Sequence, residues 1–259
     1  MGSDHKPRQR AVVSFTGGKD CHLAIARAYE RSDLEVVGLV CFHPPGQPRF
    51  KAHPIKIQHQ QAEALGLPLW MIVVDAEKHG SYLQAYGAAL QEMRETHKID
   101  LIITGDIDLI GTSKVNFVTD VCEKTECGVS CWLPLWQVTR REALQEMWAR
   151  GFDIRFSCVK SPYFDGSWIG RQLDGAALTT LSPFEAQGLD LCGENGEYHT
   201  LVVNGGPILY KTKILVPRHP LVAQELEKLP GQKDGQRWWV CQESEESPYQ
   251  LVDRSDGTI

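Results

Sequence analysis

The sequence predicts an α/β protein, a Rossmann-like, doubly wound parallel sheet followed by a smaller α+β C-terminal domain. Three observations carry that prediction. Short apolar runs alternate with helical patterns through the first half of the chain, the runs are apolar almost without interruption, and a glycine pair separates the first run from its helix. With 259 residues, 42% of them hydrophobic, the chain can bury a sizeable core.

The first run, AVVSF at 11–15, reads as a strand, and the pattern from about Asp20 to Arg31 as a helix. The rhythm continues with EVVGLVCF at 35–42, a helix near 57–65, LWMIVVD at 69–75, a helix near 80–97 and DLIITGD at 100–106. Strand, helix, strand at this spacing means parallel strands with helices over both faces. From about Leu133 the chain changes character. Thr139 is placed as an N-cap, Glu142 at the capping-box position and Gly151 as the stop, which predicts a helix leading into a strand at 152–160. Residues 161–188 read as loop-rich with one helical piece, and 189–216 as strands joined by turns. We therefore expect a disordered N-terminus over 1–9, one domain over 10–132, a second over 133–216, and an irregular tail over 217–259 relieved only by the apolar RWWVC.

Composition narrows the function classes. The formal net charge is -6, with no long basic run, so no direct nucleic-acid partner is expected. No apolar window approaches the roughly 20 residues of a membrane helix, and the polar start lacks a signal-peptide core, so a cytoplasmic protein without a membrane partner is expected. The eight cysteines are scattered and mostly sit in apolar runs, as core thiols do. Cys122, Cys127 and Cys131 group locally but lack the C-x-x-C pair of a zinc site.

In an open parallel sheet, ligands bind beyond the carboxyl ends of the strands, and TGGKDC follows the first strand. Gly17 and Gly18 permit positive φ and close backbone approach. The amides after them open a helix, where an anion is favoured, and Lys19 can neutralise a phosphate. A Walker A loop is excluded, because Val13 stands where its first glycine belongs and Asp20 follows Lys19; the dinucleotide pattern G-x-G-x-x-G is absent as well. An ordinary solvent-exposed turn with Asp20 at a helix start is the alternative. Asp106 and Asp108 end the fourth strand, where a carboxylate could help hold a magnesium ion bridging phosphates, or simply serve turn chemistry.

In CGENGEYHT (192–200), Asn195-Gly196 predicts a two-residue type I′ hairpin. Glu194 and Glu197 would then face each other, with His199 on the face of Glu197 and Tyr198 and Thr200 on the other. Facing like charges cost about 0.2–1 kcal/mol, which a cation between them would offset. His199 could act there as a base or hydrogen-bond partner; alternatively the glutamates splay into solvent and His199 packs.

The glycine loop resembles that of the PP-loop ATPases, in the adenine nucleotide alpha-hydrolase-like superfamily with its HUP fold, with Thr16 for the loop's first serine and Cys21 for its last. TGGKDC, GDI at 105–107, PLW at 134–136 and CGENGEYHT, in that order, are similar to the motifs of the diphthine-ammonia ligase family over about residues 10–211. The chain departs from that pattern at Asn195, where the family has glycine, and at His199, where it has glutamate. The E-N-G-E-Y/F-H-T turn resembles a sister branch, which implies a small-molecule role linked to corrinoid metabolism as an alternative.

The resemblance implies a PP-loop ATP-binding domain over 10–132, an acceptor domain over 133–216, and ATP with Mg²⁺ as cofactors. It places ATP at Ser14, Thr16, Gly17, Gly18, Lys19, Asp20, Cys21, Gly105 and Asp106, with Asp106 on the metal. It also implies a ligase of diphthamide biosynthesis that adenylates a carboxylate and transfers ammonia to it. Lys19, Glu194, Glu197 and His199 would be the catalytic residues, and the acceptor would be diphthine on elongation factor 2 or a small carboxylate. Two rivals remain open: a PP-loop sulfur transferase using the cysteines, and a non-catalytic nucleotide-binding module.

Overall fold

The computed structural model describes residues 7–46, 50–109, 113–226, 235–242 and 245–254; most of the segment expected to be disordered, residues 1–6, lies outside them. The chain clusters into two units, one of residues 1–15, 23–48 and 67–136 and another of residues 16–22, 49–66 and 137–259.

The first unit is the parallel α/β sheet. Strands β1 (Gln9–Ser14), β2 (Leu34–His43), β3 (Leu69–Val73), β4 (Leu101–Ile103) and β5 (Ser130–Trp132) pair in the order β3-β2-β1-β4-β5. Every pairing is parallel. Ala11, Val12 and Val13 of β1 and Ile102 and Ile103 of β4 are fully buried, as inner strands covered on both faces require. The outer strands β3 and β5 are only partly buried.

Helix α1 (Lys19–Tyr29) follows β1. Helices α3 (Ala76–His79), α4 (Tyr82–His97) and α5 (Phe117–Lys124) lie in the first unit, and α2 (Ile55–Leu65) in the second. Ser81 caps α4 and Asn116 caps α5, each side chain accepting a backbone amide of the first turn. Leu90 and Met93 of α4 and Val121 of α5 pack with Val12, Val40 and Ile102 in one core. Gly38 of β2 is glycine for space, since a Cβ there would lie 2.4 Å from the Trp70 ring, which in turn stacks on His97 at 4.0 Å. The fourth strand is shorter than 100–106. It stops at Ile103, after which the Thr104 and Asp106 side chains bond to each other.

The second unit holds the antiparallel sheet. Helix α6 (Arg140–Ala149) has the expected capping box of Thr139 and Glu142. It leads into β6 (Phe152–Lys160), and α7 (Gly175–Leu181) follows. Strand β7 (Tyr198–Gly205) pairs with β6, and the short α8 (Gly206–Leu209) precedes β8 (Lys213–Pro217). Residues 217–259, expected to be irregular, contain β9 (Ala223–Glu225), β10 (Trp238–Cys241) and β11 (Tyr249–Asp253). The sheet order is β7-β6-β10-β9, and β11 pairs with β8. These strands are three to five residues long, too short for alternation to stand out. Phe156, Phe164, Trp168 and Tyr198 form an edge-to-face and tilted aromatic cluster with centroids 5.0–5.8 Å apart.

Candidate functional site

The glycine loop, residues 16–22, belongs to the second unit and is tied there to β7. The Gly17 carbonyl accepts from the Val202 amide at 3.2 Å and from Gln61 Nε2 at 2.9 Å; Gln61 Nε2 also donates to the Val202 carbonyl. Gly17 adopts φ +83°, and a Cβ on it would lie 2.1 Å from Gln61 Oε1, so both its conformation and its space demand glycine. Gly18 differs. A Cβ there would meet the Thr200 carbonyl at 3.5 Å, Thr16 Oγ1 at 3.7 Å and His53 Cε1 at 3.8 Å, ordinary contact distances that outline a small cradle. The carbonyl of Gly18 points the other way, accepting from the Cys21 thiol at 3.1 Å and from His22 Nδ1 at 2.8 Å. Because that carbonyl can only accept, His22 carries its proton on Nδ1, and Nε2 accepts from the Tyr210 hydroxyl at 3.0 Å. Burial keeps His22 neutral, its pKa lowered to about 4, and pushes the Cys21 thiol up to about 11. Cys21 therefore braces the loop from inside. Ser14 ends β1, paired with Val40, and Thr16 is exposed.

Lys19 is 3% exposed. Its amide donates to Thr200 Oγ1 at 3.2 Å, and Nζ donates to Asp20 Oδ2 at 2.8 Å and to the Cys192 carbonyl at 2.6 Å. Nζ also lies 5.5 Å from the centre of the Tyr198 ring. Burial opposes its charge, but Asp20 foremost, with Tyr198, Cys192 and Glu194, holds its pKa well above the ordinary lysine value. The other oxygen of Asp20, Oδ1, is buried without a hydrogen-bond partner among the described residues. Thus the structure brings together two motifs that are about 170 residues apart in sequence.

The expected hairpin at 194–197 does not form. Asn195 is absent from the positive-φ residues, whereas Gly193 (φ 77°) and Gly196 (φ 72°) are present, and β7 pairs with β6 instead of with a strand before the turn. The segment wraps around Glu197, which is 3% exposed. Glu197 Oε1 accepts from the Asp190 amide at 3.0 Å and Asn195 Nδ2 at 3.2 Å, and Oε2 from the Asn195 amide at 3.0 Å. The two glutamates therefore do not face each other. Each hydrogen-bond donor to the Glu197 carboxylate comes from its own loop, and Asn195 supplies a side-chain donor that glycine cannot. Asp190 anchors the loop further, with Arg140 Nε at 2.9 Å from its Oδ2. Glu194 has no hydrogen bond among the described residues. Burial first, with Asp20 and Asp190 acting against Lys19 and Arg140, raises its pKa to about 7.

His199 sits on β7 opposite Cys158 of β6, edge-on to His53 with ring centroids 5.0 Å apart. Burial, then the charges of Lys19 and Lys160, lowers the His199 pKa to about 4; burial, then His199 and Lys19, lowers that of His53 to about 3. Nδ1 of His53 is buried and has no hydrogen-bond partner among the described residues. His53 and Gln61, like Asp190 and Arg140, were not candidates from sequence, where nothing links the 49–66 segment to the glycine loop.

Asp106 lies in the first unit after β4, with Gly105 before it. Its Oδ2 accepts from Thr104 Oγ1 at 2.9 Å and Asn116 Nδ2 at 2.5 Å. Asp108 caps the Leu109 amide. Among the described residues no group of three or more His, Cys, Asp or Glu side chains could hold a metal ion by itself. The thiols of Cys122, Cys127 and Cys131 do lie together in the first unit, the Cys122 thiol hydrogen-bonded to that of Cys131. No helix among the described residues is long and apolar enough to cross a membrane.

Residues 9–130 match the family model described as the diphthamide synthase N-terminal domain, and residues 140–230 the model of the diphthamide synthase C-terminal domain. Between them the matches span well over half of the chain. One similar solved structure is a predicted subunit of tRNA methyltransferase from Methanocaldococcus jannaschii, at 14% identity and a TM-score of 0.43, covering 76% of this chain and 97% of that one. No curated protein matches the sequence.

Proposed function

The chain belongs to the diphthamide synthase family, and from that premise we propose that it is an ATP-dependent, AMP- and pyrophosphate-forming carbon-nitrogen ligase. A carboxylate oxygen of the acceptor attacks the α-phosphorus of ATP, pyrophosphate leaves, and ammonia displaces AMP from the acyl-adenylate to give an amide. The observation that supports this most is the buried Lys19 ammonium, held between the glycine loop and the Cys192 carbonyl with Glu194 beside it.

Each step has a residue suited to it. The Gly18 cradle and the fixed Lys19 charge suit the departing pyrophosphate, because a charge held in a low-dielectric setting stabilises developing negative charge without reorganisation. Magnesium, when bound, would neutralise the phosphates further. In this reading Asp106 would offer it a carboxylate. Ammonium must lose a proton before it can attack, and Glu194, with a pKa near neutrality, is suited to take it. His199 is too weak a base for that task at neutral pH, and Glu197 is engaged in shaping its loop.

Diphthine on elongation factor 2 is the acceptor we put first, with a small carboxylate second. Incubation with ATP, magnesium, ammonium and diphthine-bearing elongation factor 2 should release AMP and pyrophosphate and change the acceptor mass from acid to amide. Lys19→Ala should lower AMP formation by about 10²–10³-fold, as loss of a fixed transition-state charge does. AMP without that mass change points to another carboxylate, and ATP binding without AMP under any acceptor leaves a nucleotide-binding module.

A further inference from the structure

Two imidazoles in the second unit take no part in adenylation or in ammonia transfer as described above. The ring of His53 turns its Cε1, the carbon between the two nitrogens, toward the space over Gly18, where a Cβ would lie 3.8 Å from it. Its buried Nδ1 has no partner among the described residues, and a buried polar atom left unpaired in a folded protein calls for a ligand or another explanation. His199 meets the same ring edge-on, and both rings lie close enough to Lys19 for its charge to depress their basicity. In the free protein, then, the rings are neutral, though His53 borders the cradle where an anion would sit and His199 stands against it.

We propose that His53 and His199 form a phosphate-oxygen subsite on the glycine loop, and that the pair takes up a proton from solvent as the anion enters. This rests on the ATP-dependent reading above. The balance is simple: one proton passes from buffer to an imidazole nitrogen, no other bond is made or broken, and the resulting imidazolium donates N–H to a phosphate oxygen. The driving force is electrostatic. Lys19 opposes the charging of both rings and Lys160 that of His199, whereas a phosphate charge within about 4–6 Å favours it and raises the pH at which a ring charges by roughly 1–3 units. Among the other groups nearby, Glu194 and Asp20 lie beside Lys19 and could compete for the proton. The Cys158 thiol opposite His199 is pushed up to about 12 by burial and stays protonated.

The consequence is that pyrophosphate release and proton release are linked. As the anion leaves, the subsite returns to neutral and gives its proton back, so a new nucleotide must recharge it and binding should tighten as pH falls toward 5.

The test is nitrogen NMR of the imidazoles in ¹⁵N-histidine-labelled protein, titrated with inorganic pyrophosphate, with His53→Gln and His199→Gln used to assign the signals. Both rings should titrate below pH 5 in the free protein. With saturating pyrophosphate at least one should titrate about two units higher, and a Glu194→Gln variant should keep that change. His53→Gln should weaken pyrophosphate binding by about two- to tenfold at pH 5 and not measurably at pH 8. Pyrophosphate binding that depends on Lys19 but leaves both ring signals unmoved overturns this proposal and spares the ATP reading. Absence of any pyrophosphate binding overturns both.

Discussion

The glycine loop and the 190–197 loop are both short, both contain glycines with positive φ, and are held by different means. The first is held from outside: Gln61, Thr200, Val202 and, through His22, Tyr210 grip its carbonyls and amides from distant parts of the chain. The second is organised around its own Glu197 carboxylate, with Arg140 on Asp190 and Lys19 on the Cys192 carbonyl as ties from outside. The difference teaches where chemistry can reside. A loop gripped from outside can leave one side uncommitted, here the Gly18 cradle and Asp20 Oδ1, while a loop that folds around its own carboxylate has used that carboxylate up and leaves only its neighbour Glu194 available.

The largest way to break this comparison is Glu197→Ala. It strands three donors that are only part-buried, so water can take over part of what is lost, and the loss of stability should be about 2 kcal/mol, read from the urea midpoint. A loss below about 0.5 kcal/mol would mean that the loop is not organised by its own glutamate. Such a variant should also lose AMP formation, because the Cys192 carbonyl that holds Lys19 would be displaced.

Gly18→Ala probes the uncommitted side. Its methyl fits at ordinary contact distances, so the melting temperature should barely change, yet it would fill the cradle and weaken pyrophosphate binding at least about tenfold, or ~1.4 kcal/mol. Equal affinity in calorimetry would show that no anion approaches there.

The smallest effect separates the two glutamates by pH. Glu194 has a folded-state pKa raised to about 7, so its contribution to stability is complete below the ordinary carboxylate pKa and lost as pH rises to about 7. Glu194→Gln removes that loss. The variant should gain melting temperature relative to the parent at pH 8 and little at pH 4, whereas the pH dependence of amide formation near pH 7 should disappear. A parallel displacement at both pH values would assign Glu194 no special environment.

Much of the fold was legible locally. Unbroken apolar runs gave away β1, β2 and β4 because inner parallel strands are buried on both faces, and the Thr139 capping box was readable because its partners are three residues apart. The candidate site was legible only in part. Lys19, Asp20 and Glu194 stand out by motif, but the reading of Asn195-Gly196 as a hairpin failed because a turn signal assumes a strand on each side, and the strand that pairs with β7 comes from residues 152–160.

By itself the sequence determined where β1 to β4 and the helices α1, α2 and α4 lie, though not the short α3, α5 and β5, where a glycine loop opens a helix, and which cation that helix carries, since all of these follow from near neighbours along the chain. Only the tertiary structure decided that Gln61 clamps Gly17, that Lys19 reaches the Cys192 carbonyl, that Glu197 turns inward, and that His53 meets His199. Those contacts join residues dozens to nearly two hundred positions apart, or depend on which of several nearby donors a buried carboxylate captures. Local propensity carries no record of such choices, because burial and hydrogen-bond pairing are settled only when the whole unit closes.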